Sequence, residues 1–69
     1  MNKKEIFIKT IKEQLNIDLE NDKTNDFNKK RNMLYTKIER KDQREVLGYL
    51  IKYNIQYNEH MNNYYWIWL

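Results

Sequence analysis

Ile55-Gln56-Tyr57-Asn58-Glu59-His60-Met61-Asn62-Asn63-Tyr64-Tyr65-Trp66-Ile67-Trp68-Leu69 is the stretch that decides the fold. Ile55, Tyr57, Glu59 and Met61 alternate with Gln56, Asn58 and His60, and from Tyr64 onward nearly every position is aromatic or β-branched, the residue choice of a half-buried strand. Asn62-Asn63 stands between the two runs. A type I′ turn needs positive φ at two successive residues, which Asn tolerates second only to Gly. The stretch therefore predicts a β-hairpin. With a two-residue turn, Met61 faces Tyr64, Glu59 faces Trp66 and Tyr57 faces Trp68. Ile55, Tyr57, Met61, Tyr64, Trp66 and Trp68 then share one face, and Gln56, Asn58, His60, Tyr65, Ile67 and Leu69 the other. A slip of one residue would exchange the faces on one strand. A lone hairpin is marginal in water, so this one is expected to pack its aromatic face, both tryptophans included, on the helices before it.

Upstream the apolar period changes from 2 to 3.6. Val46, Leu47, Leu50, Ile51 and Tyr53 form a broad apolar face for a helix from Gln43 to about Tyr53, and Asn54 can adopt the left-handed stop. Asp42 with Glu45 three residues later has capping-box spacing. Gly48 lies inside this helix at a propensity cost of about 1 kcal/mol relative to Ala, and reads as a site of close approach by another element. A preceding helix is expected from about Asp26 to Arg40, with Phe27, Leu34 and Ile38 on one stripe and Thr24, Asn25 and Asp26 as cap candidates. Beside that stripe Lys29, Lys30, Lys37 and Arg40 gather on an arc, with Met33 among them. The first helix runs from about Lys3 to Leu15, since Phe7, Ile8, Ile11, Leu15 and Leu19 fall within roughly 120° of arc at helical spacing. Ile6 lies off this stripe. Ile17-Asp18-Leu19 alternates and could form a short extended piece, and polar Asn21 to Asp26 reads as a connection.

With 69 residues the chain makes a single domain, 1–69. Domains of this size bury only about 60% of the unfolded chain's surface. A hydrophobic content of 41% and an aromatic content of 14% suffice for one small core despite a mean hydropathy of −1.07. The absence of cysteine rules out disulfides and thiolate metal sites. Apolar runs are far shorter than the ~20 residues that cross a bilayer, and the N-terminus lacks a signal-peptide h-region, so a cytoplasmic protein without a membrane partner is expected. Heavy use of Asn, Lys, Ile and Tyr points to an AT-rich genome, such as that of a low-GC bacterium or one of its phages.

Charge is uneven along the chain. Five lysines face six acids up to Asn28, eight basic residues face three acids from Lys29 to Tyr53, and Glu59 is the one charge thereafter. The basic excess of a chain of net charge +3 thus sits in its middle third, which suits either nucleic acid or an acidic protein.

Catalytic chemistry finds little support. His60 is the sole histidine, and without cysteine a nucleophile and base pair is hard to assemble. The residue reads as a strand position on the wetter hairpin face. One imidazole beside Glu59 makes a poor metal site. There is no glycine-rich phosphate loop. Asp18, Asp22 and Asp26 repeat every four residues but lack an apolar pocket that would shift a pKa. No catalytic, cofactor-binding or metal residue is assigned, and no enzyme is expected. What stands out is the cluster Lys29-Lys30-Arg31 with Lys37, Arg40, Lys41 and Arg44, together with the tyrosines and tryptophans, residue types that dominate binding hot spots and stack on bases.

In its order of elements, three helices and then a hairpin, the chain resembles winged-helix domains. That likeness implies a third helix in the major groove and a hairpin as the wing. The third helix here presents only Gln43, Arg44, Gly48 and Lys52 outward, and the tip, His60 to Asn63, carries no Arg or Lys, so the likeness is one of architecture. The expected fold is α+β, two to three helices packed on a C-terminal two-stranded hairpin, with a small all-α bundle as runner-up. The expected function is that of a small non-catalytic protein-binding module, of the kind phages and mobile elements use to bind and inhibit a host or defence protein. The alternative is a DNA- or RNA-binding regulator using the basic second helix. Contact residues would be Lys29, Lys30, Lys37, Arg40 and Arg44, with Tyr57, Tyr64 and Tyr65 as aromatic anchors; a homo-oligomer would supply further burial.

Overall fold

A computed structural model describes residues 3–20 and 33–69. The elements are α1 (Lys3–Leu15), β1 (Met33–Lys37), α2 (Arg40–Lys52), β2 (Tyr57–Glu59) and β3 (Tyr64–Trp68). The three strands form one antiparallel sheet in the order β1-β3-β2, so the class is α+β and the all-α alternative falls away. The C-terminal strand is the central one. That position explains why so apolar a terminus does not fray: both edges of its backbone are hydrogen-bonded, to β1 and to β2.

One face of the sheet carries the core. Leu34 of β1 pairs with Ile67 and Thr36 with Tyr65, while β2 sets Tyr57 beside Ile67. Against them pack Phe7 and Ile11 of α1, Val46 and Leu50 of α2, and Ile17, Leu19 and Ile38 from the connections. Ile11, Leu34, Ile38, Val46, Leu50 and Ile67 are wholly enclosed.

α1 has the bounds that its stripe predicts, and Ile6, off the stripe, is 50% exposed. Asn16 ends the helix at φ 58°, its N–H still donating to the Lys12 carbonyl at 3.0 Å. The next residues are extended: Ile17 and Leu19 point into the core and Asp18 points out, toward the Lys12 ammonium at 3.3 Å. That exposed pair contributes little.

The expected helix over Asp26–Arg40 is overturned where the structure describes it; residues 26–32 lie outside the described residues. Met33–Lys37 is a strand, and α2 does not begin until Arg40. Leu34 and Ile38 stand four apart, a spacing that fits one face of a helix and one face of a strand equally well. β3 resolves the ambiguity, because its second edge needs a partner. The hairpin is thus part of a three-stranded sheet. The winged-helix order also lapses, since β1 leads into α2 through Ile38 and Glu39 alone and only two helices occur among the described residues.

α2 begins one turn earlier than Gln43. Glu39 is its N-cap, at φ −58° and ψ 147°, and makes no side-chain cap hydrogen bond; Asp42 lies in the first turn, where its charge favours the helix dipole, and does not cap. The far end is a Schellman motif. Asn54 takes φ 57°, its N–H donates to the Ile51 carbonyl at 3.1 Å, and the Ile55 N–H reaches back to the Leu50 carbonyl at 2.8 Å. Gly48 does not mediate close packing, because a Cβ built on it meets no heavy atom within 4 Å.

Asn62 and Asn63 form the turn with φ of 57° and 66°, and the Tyr64 N–H donates to the Met61 carbonyl at 3.1 Å. The Tyr64 carbonyl, however, accepts from the His60 N–H at 2.8 Å. Two residues, His60 and Met61, therefore oppose one, which is a bulge. The register slips by one: Tyr57 faces Ile67, Asn58 faces Trp66 and Glu59 faces Tyr65. This separates Tyr57 from the two tryptophans and overturns the expectation that Trp66 and Trp68 are core. The tip is latched in this register, since Ile38 N–H donates to the Asn63 carbonyl at 2.9 Å. The Gln43 amide donates to the Ile38 carbonyl at 3.0 Å and to the Asn63 side-chain oxygen at 3.1 Å.

Candidate binding surface on the sheet

Alternation sends the remaining strand residues to the face away from the core. The registers place Met33, Tyr35 and Lys37 of β1, Tyr64, Trp66 and Trp68 of β3, and Asn58 of β2 on that side, with His60 continuing the line of Asn58. Tyr35 is the hub. Its ring lies 4.9 Å from Tyr64, nearly parallel at 14°, and 4.5 Å from its cross-strand partner Trp66. Cross-strand aromatic pairs of this kind stiffen a sheet by roughly 0.2–1 kcal/mol each. The His60 ring packs edge-on to Tyr35 at 5.6 Å, and the Tyr35 hydroxyl lies 2.7 Å from His60 Nδ1. Trp68 is 37% exposed and enters none of the ring contacts among the described residues. With Asn54, Ile55, Gln56 and Leu69 it lines an open depression of ≈ 530 Å³ at the end of the sheet.

No acidic side chain belongs to this face among the described residues. Lys37 is the cation on it, and its ammonium is 3.8 Å from the Glu39 carboxylate with both groups about half exposed, too weak a pair to neutralise it. Glu59 points to the opposite side. It sits beside Tyr65 in the register and accepts a hydrogen bond from the Tyr65 hydroxyl. Burial pushes the Tyr65 phenol above its ordinary pKa of 10.0, with the Glu59 charge adding to the effect.

The expected contact residues do not form one helical stripe. Lys29 and Lys30 lie outside the described residues. Lys37 is on the aromatic face, whereas Arg40 and Arg44 are exposed one turn apart on α2. Tyr64 is on the aromatic face. Tyr57 is half-buried on the core side, and Tyr65, 3% exposed, is a core residue and cannot serve as a surface anchor. Tyr35, Trp66, Trp68, Asn58 and His60 are the members that sequence reasoning missed. The alternation of Tyr35 and Lys37 with Leu34 and Thr36 was the available signal, visible once the segment is taken as a strand.

Among the described residues no three His, Asp or Glu side chains converge on a metal position, and no helix is long and apolar enough to cross a membrane. Comparison with protein-family models, with curated proteins and with solved structures finds no match. The surface has to be understood from its own chemistry.

Proposed function

We propose that this chain is a small non-catalytic binding module whose contact surface is the aromatic outer face of the sheet. The observation that carries the reading is the placement of both tryptophans. In a domain short of interior volume, Trp66 and Trp68 stand on the outer face while Tyr65 and Ile67 take the core. Tyrosine and tryptophan supply large contact area with few rotatable bonds, which is why they anchor interfaces. The face is also built on paired strands, so its side chains are held before any partner arrives.

Of the two partner classes suggested by the sequence, an inhibited protein and a nucleic acid, the second gains from the lack of acidic strand residues on the face among the described residues and from the basic middle of the chain. The basic second helix is no longer its vehicle. A capture experiment tests the surface without presuming the partner. Immobilised wild type and Trp68→Ala are exposed to a bacterial extract, and bound protein and bound nucleic acid are both quantified. The reading expects capture by the wild type that Trp68→Ala loses and Lys9→Ala, on exposed α1, retains. Equal capture by all three overturns it.

A further inference from the structure

We infer that the outer face binds single-stranded nucleic acid by stacking bases on Tyr64, Trp66 and Trp68, with Lys37 meeting a phosphate at its margin; this rests on the binding-face reading above. Three features select this occupant. The first is spacing. Tyr64, Trp66 and Trp68 stand two residues apart on one strand, steps of about 6.8 Å. That is twice the roughly 3.4 Å rise per nucleotide in a duplex. Tyr35 already packs against Tyr64 and Trp66, so bases must be pulled apart to meet the ring faces that are left, which a single strand allows and a duplex does not.

The second feature is charge. A polyanion meets Lys37 at the margin, with the half-exposed Glu39 carboxylate 3.8 Å from its ammonium, and no acidic strand residue on this face among the described residues, Glu59 being turned to the core side. The third is chemistry. Apart from Met33, which is only 6% exposed, the face is made of ring systems and Lys37, with Asn58 and His60 beside them. Aromatic stacking is tolerant of base identity because every base has a π-face.

The test uses fluorescein-labelled oligothymidylate and oligouridylate of about 15 nucleotides, within the span one small sheet domain can engage. Anisotropy and tryptophan emission are followed at low salt, with sedimentation of the protein alone in parallel. Binding with quenched tryptophan is expected, and the one phosphate contact at Lys37 would weaken it roughly 2.6-fold between 50 and 200 mM salt. Trp68→Ala should lose roughly 5- to 150-fold in affinity, the range measured for removing one stacked base. Lys37→Glu is the second variant in case Trp68→Ala melts early, and it should weaken binding and flatten the salt dependence. Lys9→Ala should bind as wild type.

No binding at low salt overturns the inference; if the extract experiment still shows Trp68-dependent capture of a protein, the binding-face reading survives and only the occupant is wrong. A duplex of equal length that binds as tightly as the single strand also overturns it. So does a dimer in sedimentation that Trp68→Ala dissolves, since a second copy would then cover the face.

Discussion

Replacing Gly48 with alanine should make the protein more stable, and the size of the gain follows from what surrounds the position. Gly48 is the ninth of the 13 residues of α2, well inside the helix. Glycine there is less favourable than alanine by about 0.8–1.0 kcal/mol, because it has more backbone freedom to lose on folding. Whether that difference appears in full depends on where the new methyl group goes. A Cβ at this position meets no heavy atom within 4 Å, so it neither clashes nor packs, and propensity acts alone. For a domain of 60–100 residues each kcal/mol moves the melting temperature by roughly 4–8 °C, so an increase of about 3–8 °C is expected. Thermal and urea melts followed by far-UV circular dichroism measure it, and the urea midpoint should rise at unchanged slope. Gly48→Val should gain less, since a β-branched side chain is stiffer in a helix. A neutral or lowered melting temperature for Gly48→Ala would mean that another element covers this face of α2, and the packing described for the helix would be wrong.

Thr36 is fully buried in β1, and its hydroxyl has no hydrogen-bond partner among the described residues. Thr36→Val keeps the shape and removes the orphaned group, so a stability gain of about 1 kcal/mol is expected in urea melts. Asn62 holds φ 57° in the turn. Asn62→Ala should cost roughly 1 kcal/mol, the penalty of a left-handed L-residue, while Asn62→Gly should be close to neutral by the same melt. The Tyr65 phenol ionises above pH 10.0 in the folded protein, first because it is buried and then because Glu59 is beside it. Because the folded pKa is the higher one, its contribution to stability is intact below pH 10 and is lost as the pH climbs through the folded value. Ultraviolet titration of Glu59→Gln should bring that ionisation back toward pH 10, and no change would exclude the Glu59 contact.

How legible each element was depends on where its determinants lie along the chain. α1 could be read with its approximate bounds because its stripe is local, while the left-handed Asn16 that ends it was not singled out. The C-terminal stop of α2 was legible for the same reason, as Asn54 and Ile55 complete a motif with Leu50 and Ile51 only a few residues back. Its start was read three residues late, since the Asp42 and Glu45 spacing imitates a cap while the helix in fact begins after Glu39 without a side-chain cap. β1 escaped because its evidence is distant. Its partner is β3, some thirty residues on, and the local spacing of Leu34 and Ile38 is the same for helix and strand. The hairpin shows both cases at once. Its turn at Asn62-Asn63 was readable, yet its register is set by bonds from Ile38 and Gln43 to Asn63, which no local pattern contains. That one-residue slip moved the aromatic anchors to the other face, so most of the candidate site was hidden with it.

The slip also has a physical logic that links the core to the surface. Burying Trp66 and Trp68 would place two of the largest side chains, each with some 150–250 Å² to cover, beneath two helices of 13 residues. Tyr65 and Ile67 are smaller, and Ile67 lies between Leu34 and Tyr57 in the sheet and is wholly enclosed. The core therefore closes around an aliphatic centre that this chain length can fill. The same parity that puts Ile67 inward puts Trp66 outward, where Tyr35 supports it from the neighbouring strand. Stability and binding are consequently assigned to alternate residues of a single strand. Substitutions at Tyr65 or Ile67 should be read out in melting temperature, and those at Tyr64 or Trp68 in affinity.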